Sequence, residues 1–226
     1  RIRRYRNPSE GSRSPYYPRR IMALSVSHDY SLLRHNTFGM DVKACTFVEY
    51  ESVEELRAIL PELPRPLLHI GQGSNLLFCG DYTGTVLHSR ITDFAVISET
   101  EVDVLVRAGS GIVWDEFVSR CLENGLFGAE NLSGIPGETG ASAVQNIGAY
   151  GVEACELIES VEVLDSETLE LFSFAGSECG YAYRDSIFKK PENKKYIVTH
   201  VTYRMRRRWK PVLDYKALAQ CFEGRP

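Results

Sequence analysis

The chain has 226 residues, of which 43% are hydrophobic and 25% charged, and its formal net charge is −4. These values fit a soluble globular protein of one large or two small domains. No window nears the roughly 18 consecutive apolar residues that a membrane span needs, so no membrane association is expected.

The charge is uneven. Residues 1–21 hold seven Arg and one Glu, leaving the rest of the chain acidic, which argues against sequence-independent nucleic-acid binding by the body. Three prolines and no apolar periodicity mark 1–21 as a basic, disordered extension that does not fold alone. A nucleic-acid arm or a transit peptide is the alternative, and the segment lacks the apolar region of a secretory signal. Met22 opens a plausible new start.

Taken in chain order, Ser52 with Glu55 three residues on forms a capping box for a short helix, SVEELRAIL, whose apolar positions are Val53, Leu56, Ile59 and Leu60. The Pro-rich PELPRP ends it. Then follow the strand PLLHI, the glycine loop from Gly71, the apparent strand NLLFCG, the turn DYTG and the strand TVLHSRI. Residues 38–90 thus read as a first α+β unit and 91–208 as a second. In the second, FAVISET and EVDVLVRAG alternate as half-buried strands do. IVWDEFVSRCLENGL places Trp114, Phe117, Val118, Cys121 and Leu122 at helical spacing as core residues, with Gly125 as C-cap. Residues 131–151 are glycine-rich, with Glu138 the one charged residue, and read as a long loop. LIESVEVLD and TLELFSF form a hairpin around Ser166-Glu167, and YIVTHVTYRM is a further strand.

The six cysteines, at 45, 79, 121, 155, 179 and 221, include no CxxC pair, and the five histidines offer no HxxxH. Neither a zinc site nor a disulfide scaffold fits. Most of the cysteines read as small hydrophobes in apolar elements. A reduced, cytoplasmic, metal-free protein is expected.

GQGSNLLF, 71–78, is not a Rossmann fingerprint. Its third glycine position is Leu76, and no helix is expected to follow to receive a pyrophosphate. Gly71 and Gly73 allow close approach and positive φ, so an ordinary turn and a backbone nest both remain open. The second glycine-rich segment favours the nest. Two donor-rich, almost uncharged loops about 60 residues apart can close on a dinucleotide from two sides.

NTFG (36–39), GQGSNLLF (71–78), NLSGIPGETGASAVQNIGAYG (131–151) and GYAYRDSIFK (180–189) together resemble the UDP-N-acetylenolpyruvoylglucosamine reductase family, from about Asn36 to the end. The resemblance implies an α+β FAD-binding domain of the vanillyl-alcohol oxidase and p-cresol methylhydroxylase type, with two subdomains. It implies FAD held by Gly71, Gln72, Gly73, Ser74, Asn75 and Leu76 on one side, and by Pro136, Gly137, Gly140, Ala141, Ser142, Asn146 and Gly148 on the other. The GQGSN loop has no histidine, so the flavin is expected to be non-covalent. The implied reaction passes hydride from NADPH through FAD to the vinyl ether of UDP-N-acetylglucosamine enolpyruvate, in peptidoglycan precursor synthesis. The motif assigns Arg184 to the enolate-like carboxylate that develops, a role suited to a bidentate guanidinium; a salt bridge to Asp185 or a surface ion pair is the structural alternative. Tyr183 is a candidate contact to substrate or flavin, or a packed aromatic. Tyr215 matches a substrate-loop tyrosine, or is a partly buried tyrosine at a helix start.

The family continues into a third, substrate-binding domain that carries a proton-donating serine and a late glutamate. Residues 209–226 read as its start, and the rest is missing from this chain. We therefore expect a chain that binds FAD but lacks its proton donor, an inactive flavin-binding remnant being the alternative. No obligate protein partner is evident.

Overall fold

The computed structural model describes Arg3–Arg4 and residues 24–223. Apart from Arg3–Arg4, the basic segment 1–21 lies outside the described residues.

A four-stranded sheet, in the order β2-β3-β5-β4, is built from β2 (Ser25–Ser31), β3 (Lys43–Tyr50), β4 (Leu67–Ile70) and β5 (Tyr82–Ser89). Strands β3 and β4 both run parallel to β5, so β5 is central and largely buried, as parallel strands covered on both faces are. Helix α1 (Val53–Ile59) makes the crossover from β3 to β4. Ser52 Oγ accepts from Glu55 N at 3.1 Å, as the capping box requires, and the Glu55 carboxylate accepts from Glu51 N at 2.7 Å.

The parallel pairing corrects one expectation. After β4 the chain must return to the start of its parallel neighbour, so residues 75–78 form a return loop instead of a strand, and DYTG runs into the first residues of β5. Phe78 is buried while Leu77 is 64% exposed; the apolar run reflects partial packing of a loop.

The second sheet has the order β1-β11-β10-β12-β7-β6, with β1 (Arg3–Arg4), β6 (Phe94–Glu99), β7 (Asp103–Gly109), β10 (Ile158–Asp165), β11 (Leu171–Ala175) and β12 (Tyr196–Arg206). All its pairings are antiparallel. Helix α2 (Trp114–Glu123) packs on it. Trp114, Phe117, Val118 and Cys121 are buried against Val106, Val201, Tyr203 and Met205. Leu122 was expected in that core but is 43% exposed; it follows Cys121 on the rim of the stripe and turns outward. Gly125, at φ +66°, ends the helix in the left-handed conformation that glycine tolerates.

Residues 131–151 are not a continuous loop. Helix α3 (Thr139–Gln145) occupies their middle, followed by the short hairpin of β8 (Gly148–Ala149) and β9 (Val152–Glu153). Helix α4 (Lys216–Phe222) follows β12. Among the described residues no helix is long and apolar enough to cross a membrane.

Leu164 and Ile197 of the large sheet join Tyr50, Leu56, Leu60, Leu87 and Ile91 in one cluster, so the two sheets share a core. The cysteines divide differently from expectation: Cys121 and Cys179 are buried, Cys155 is half-buried, and Cys45, Cys79 and Cys221 are exposed, all six as free thiols. Cys45 lies on an outward-facing position of β3, where strand alternation overrides its apolar character.

Trp114 is fully buried, and its Nε1 donates to Leu132 O at 2.8 Å. Replacing it with Ala should lower unfolding free energy by about 3–5 kcal/mol in urea denaturation.

Candidate functional site

The first glycine segment begins where β4 ends. Gly73 has φ +66°, and a Cβ there would stand 1.9 Å from the His35 carbonyl oxygen. No residue with a side chain fits that approach. The backing is rigid because Asn36 is buried and fully engaged: its Nδ2 donates to Leu32 O (2.7 Å) and Met40 O (2.9 Å), and its Oδ1 accepts from Met40 N (3.0 Å). NTFG is therefore the support on which the glycine loop rests. The amides of Gly73, Ser74 and Asn75 donate to no acceptor among the described residues. Successive free N–H groups on such a turn make an anion-receiving concavity.

The second segment faces the first. Gly137 N donates to Gln72 Oε1 (2.9 Å), Ser74 Oγ to Pro136 O (3.1 Å), and Asn75 Nδ2 to Gln145 Oε1 (2.8 Å). Gly140 permits α3 to lie against Ser110, whose Cβ would be 2.7 Å from an added Cβ. Between the segments runs a cleft of about 310 Å³, lined among others by Gly71–Leu76, Gly140, Ala141 and Lys189. A second, of about 300 Å³, shares Ser74, Asn75, Gly137, Glu138, Ala141 and Gln145 with it and reaches Pro136, Ser142, Gly148 and Arg184. The two form one elongated groove.

Ser142 lines the groove, but its hydroxyl is engaged by Thr139 O (2.7 Å) and Tyr203 OH (2.8 Å). Asn146 sits in the left-handed region (φ +45°), with its side chain turned inward to Glu153 Oε2 and Ala182 O (both 3.0 Å). What it offers the site is its carbonyl, which accepts from Arg184 Nη1 at 3.1 Å.

Arg184 stands at the far end of the groove, itself at φ +53°. Its Nη2 donates to Gly148 O. Asp185 pairs instead with Lys190 at 3.1 Å, which removes the salt-bridge alternative for Arg184. The guanidinium lies 5.5 Å from the ring centre of Tyr183, which is 82% exposed and so is not a packed aromatic. Tyr215 precedes α4, half exposed, and meets Tyr150 edge-on at 5.4 Å. Neither tyrosine lines the groove, although Tyr150 is two residues from Gly148.

Sequence reasoning missed several residues in and behind the groove. Lys189 lies within a quoted motif, and Glu138, the one charge in the second glycine segment, was the available pointer. His88 had none. Its Nδ1 is 2.9 Å from Glu49 Oε1 and its Nε2 is 2.9 Å from Glu138 Oε1. Only a doubly protonated ring can donate to both. Burial pulls the His88 pKa down, but the hydrogen bonds and charges of Glu138 and Glu49 outweigh it, and the net shift is upward. Burial likewise lifts the Glu138 carboxyl above its ordinary range, with His88 pulling it partly back. His69, which lines the groove, is hydrogen-bonded to Tyr50 OH (2.9 Å), and burial lowers its pKa to about 4, so it is neutral.

Residues 45–169 match the FAD binding domain family. The UDP-N-acetylenolpyruvoylglucosamine reductase of Bacteroides fragilis is 55% identical over 203 residues, covering 89% of this chain and 61% of that protein. That of Porphyromonas gingivalis is 42% identical, covering 88% and 60%. The chain thus spans about three fifths of the length of these curated relatives. Among solved structures, a UDP-N-acetylenolpyruvylglucosamine reductase from Thermus caldophilus superposes with a TM-score of 0.67 at 24% identity, over 91% of this chain and 71% of that one. A solvent-stable cholesterol oxidase reaches 0.55 at 15% identity, over 81% and 38%. These likenesses establish the α+β FAD-domain fold expected from the sequence.

Because the folded pKa of His88 lies above its unfolded value, its contribution to stability should be complete below about pH 6.5 and be lost as pH rises through the higher folded value. Denaturant titrations across that window should show this decline, and His88→Gln should flatten it.

Proposed function

The chain belongs to the FAD binding domain family, and from that premise we propose that it is the flavin-binding part of a UDP-N-acetylenolpyruvoylglucosamine reductase. The observation that carries this reading is the single groove between the two glycine segments, with free amides in its middle and Arg184 at its end.

The residues fit FAD. The unpaired amides of Gly73, Ser74 and Asn75 suit a pyrophosphate, whose charge backbone N–H groups can meet without a metal. Gly137 leaves room for its close approach, Gly71 makes way for the Glu138 side chain at the groove wall, and Gln72 and Leu76 complete the first wall. Pro136, Gly140, Ala141 and Ser142 form the opposite wall, while Asn146 and Gly148 act through carbonyls that hold Arg184. We infer non-covalent attachment: the loop has no histidine, and the nearby His69 has its Nε2 bonded to Tyr50 OH. In this reading the sheet that β2 (Ser25–Ser31) extends ahead of residue 38 belongs to the first FAD subdomain, expected at 38–90, and the sheet that follows to the second, 91–208, with 209–226 opening the substrate-binding region.

Bound flavin would supply hydride, taken from NADPH, to the methylene carbon of the enolpyruvyl ether of UDP-N-acetylglucosamine. Negative charge then collects on the adjacent carboxylate. Arg184 has five N–H donors, and two of its nitrogens are held by the carbonyls of Asn146 and Gly148. Those bonds fix the fork while leaving donors for a carboxylate, with which a guanidinium makes strong charge-assisted bonds. Tyr183 and Tyr215, exposed on that side, are assigned to the sugar nucleotide. We place the reaction in the cytoplasm, consistent with six free thiols.

Titrating the chain with FAD should give a saturable yellow complex, and acid should release all of the flavin. Flavin that never binds, or that stays on the polypeptide in acid, would overturn the corresponding assignment. In the complete reductase, Arg184→Ala should lower kcat/KM by about 10²–10³ with FAD affinity little changed. Oxidation of anaerobically reduced flavin by UDP-N-acetylglucosamine enolpyruvate is the readout.

A further inference from the structure

The chain Glu49–His88–Glu138 lies directly behind the groove, and its geometry asks for a further partner. Glu138 is 5% exposed. One carboxylate oxygen, Oε1, is taken by His88 at 2.9 Å. The other, Oε2, lies against Gly71, 3.0 Å from where a Cβ would be, and no donor among the described residues reaches it. Glu138 lines both halves of the groove. A carboxylate oxygen held at the wall of a largely apolar cleft is costly unless something donates to it.

Every element packed on His88 contributes to its state. Strand β3 brings Glu49, with Phe47 at 6.3 Å between ring centres. The turn Leu33–His35 brings His35 edge-on at 5.3 Å, and burial holds that ring below its ordinary pKa, so it adds no firm positive charge. Strand β4 brings neutral His69, and Arg90 stands 4.0 Å from Glu49. Below the raised folded pKa of His88 the imidazolium is clamped between two carboxylates, and the carboxylate facing the groove is then fixed in orientation by a charged hydrogen bond.

We propose that Glu138 is a cofactor-contacting residue, its free Oε2 accepting a hydrogen bond from a hydroxyl or ring N–H of the flavin nucleotide, and that His88, braced by Glu49, is the residue that positions it. The inference rests on the flavin reading above. Charge fixes which part of the nucleotide lies there: a carboxylate repels the phosphates and takes the sugar-alcohol hydroxyls or the ring N–H, so it sets the register of the flavin along the groove. Loss of the His88 proton leaves two carboxylates without their shared cation beside a dianionic ligand, which weakens binding.

The test is calorimetric titration with FAD from pH 6 to 9 on the unaltered chain and on Glu138→Ala, Glu138→Gln and His88→Gln, with melting curves for each. Glu138→Ala should raise the FAD Kd about tenfold or more, and Glu138→Gln, which keeps an acceptor, by less. The unaltered chain should lose affinity as pH rises, and His88→Gln should bind more weakly at pH 6 with that dependence gone. A Glu138→Ala chain that melts earlier yet binds FAD with unaltered Kd makes the carboxylate structural and overturns the proposal. Should that variant fail to fold, Glu138→Gln with both Kd and pH profile unchanged overturns it equally. An unaltered chain that binds no FAD at any pH overturns the flavin reading itself, a result distinct from the others.

Discussion

Because β4 and β5 run parallel, the chain between them has to travel back along the sheet, and the place where it turns is fixed outside the end of β4. Ligand sites of sheets with parallel strands gather beyond the carboxyl ends of those strands. Here that position holds Gly71–Asn75. The turn can be tight only if the backbone passes within contact distance of the His35 carbonyl, which requires glycine at 73. The Asn36 hydrogen bonds hold that carbonyl still. The groove therefore depends on strand direction first and on a small side chain second.

The opposite wall is built on a different principle. Helix α3 is short and rich in small residues, so it can lie close to Ser110 and the ends of β7 and β12. Its C-terminal Asn146 uses a strained left-handed conformation and a fully engaged side chain to aim one carbonyl at Arg184. Such conformations persist where surrounding bonds over-determine them. Positioning in this site falls to backbone carbonyls and buried amides, and the charged groups at it are Arg184 at one end, Lys189 on the lining and the Glu49–His88–Glu138 chain behind the middle.

Periodic elements were legible from local pattern. Helices α1 and α2 and strands β7, β10, β11 and β12 stand where apolar spacing indicated them, because one face of each packs on a core; β6 forms where expected but is not half-buried, since only Phe94 packs inward and Val96 and Ile97 are exposed at the sheet edge. Helix α3 was invisible to that reasoning: Gly140, Ala141 and Ser142 carry no apolar stripe, and the helix is held by packing and by bonds such as Gly140 N to Ser110 O. NLLF misled for the converse reason, since an apolar run gives no information about the direction in which the chain is travelling.

The sequence alone determined the FAD-domain fold, through motifs whose glycines answer to backbone geometry, and it supplied the residues that the structure gathers along the groove. Only the tertiary structure decided what each does there. Asn146 acts through its carbonyl, Ser142 is bonded away from the groove, Tyr183 and Tyr215 stand outside its lining, and Arg184 is free of Asp185. The buried chain from Glu49 through His88 to Glu138 spans elements far apart in sequence. Local pattern cannot reveal it, because the charge state of each member is set by burial and by partners that only folding brings within hydrogen-bond reach.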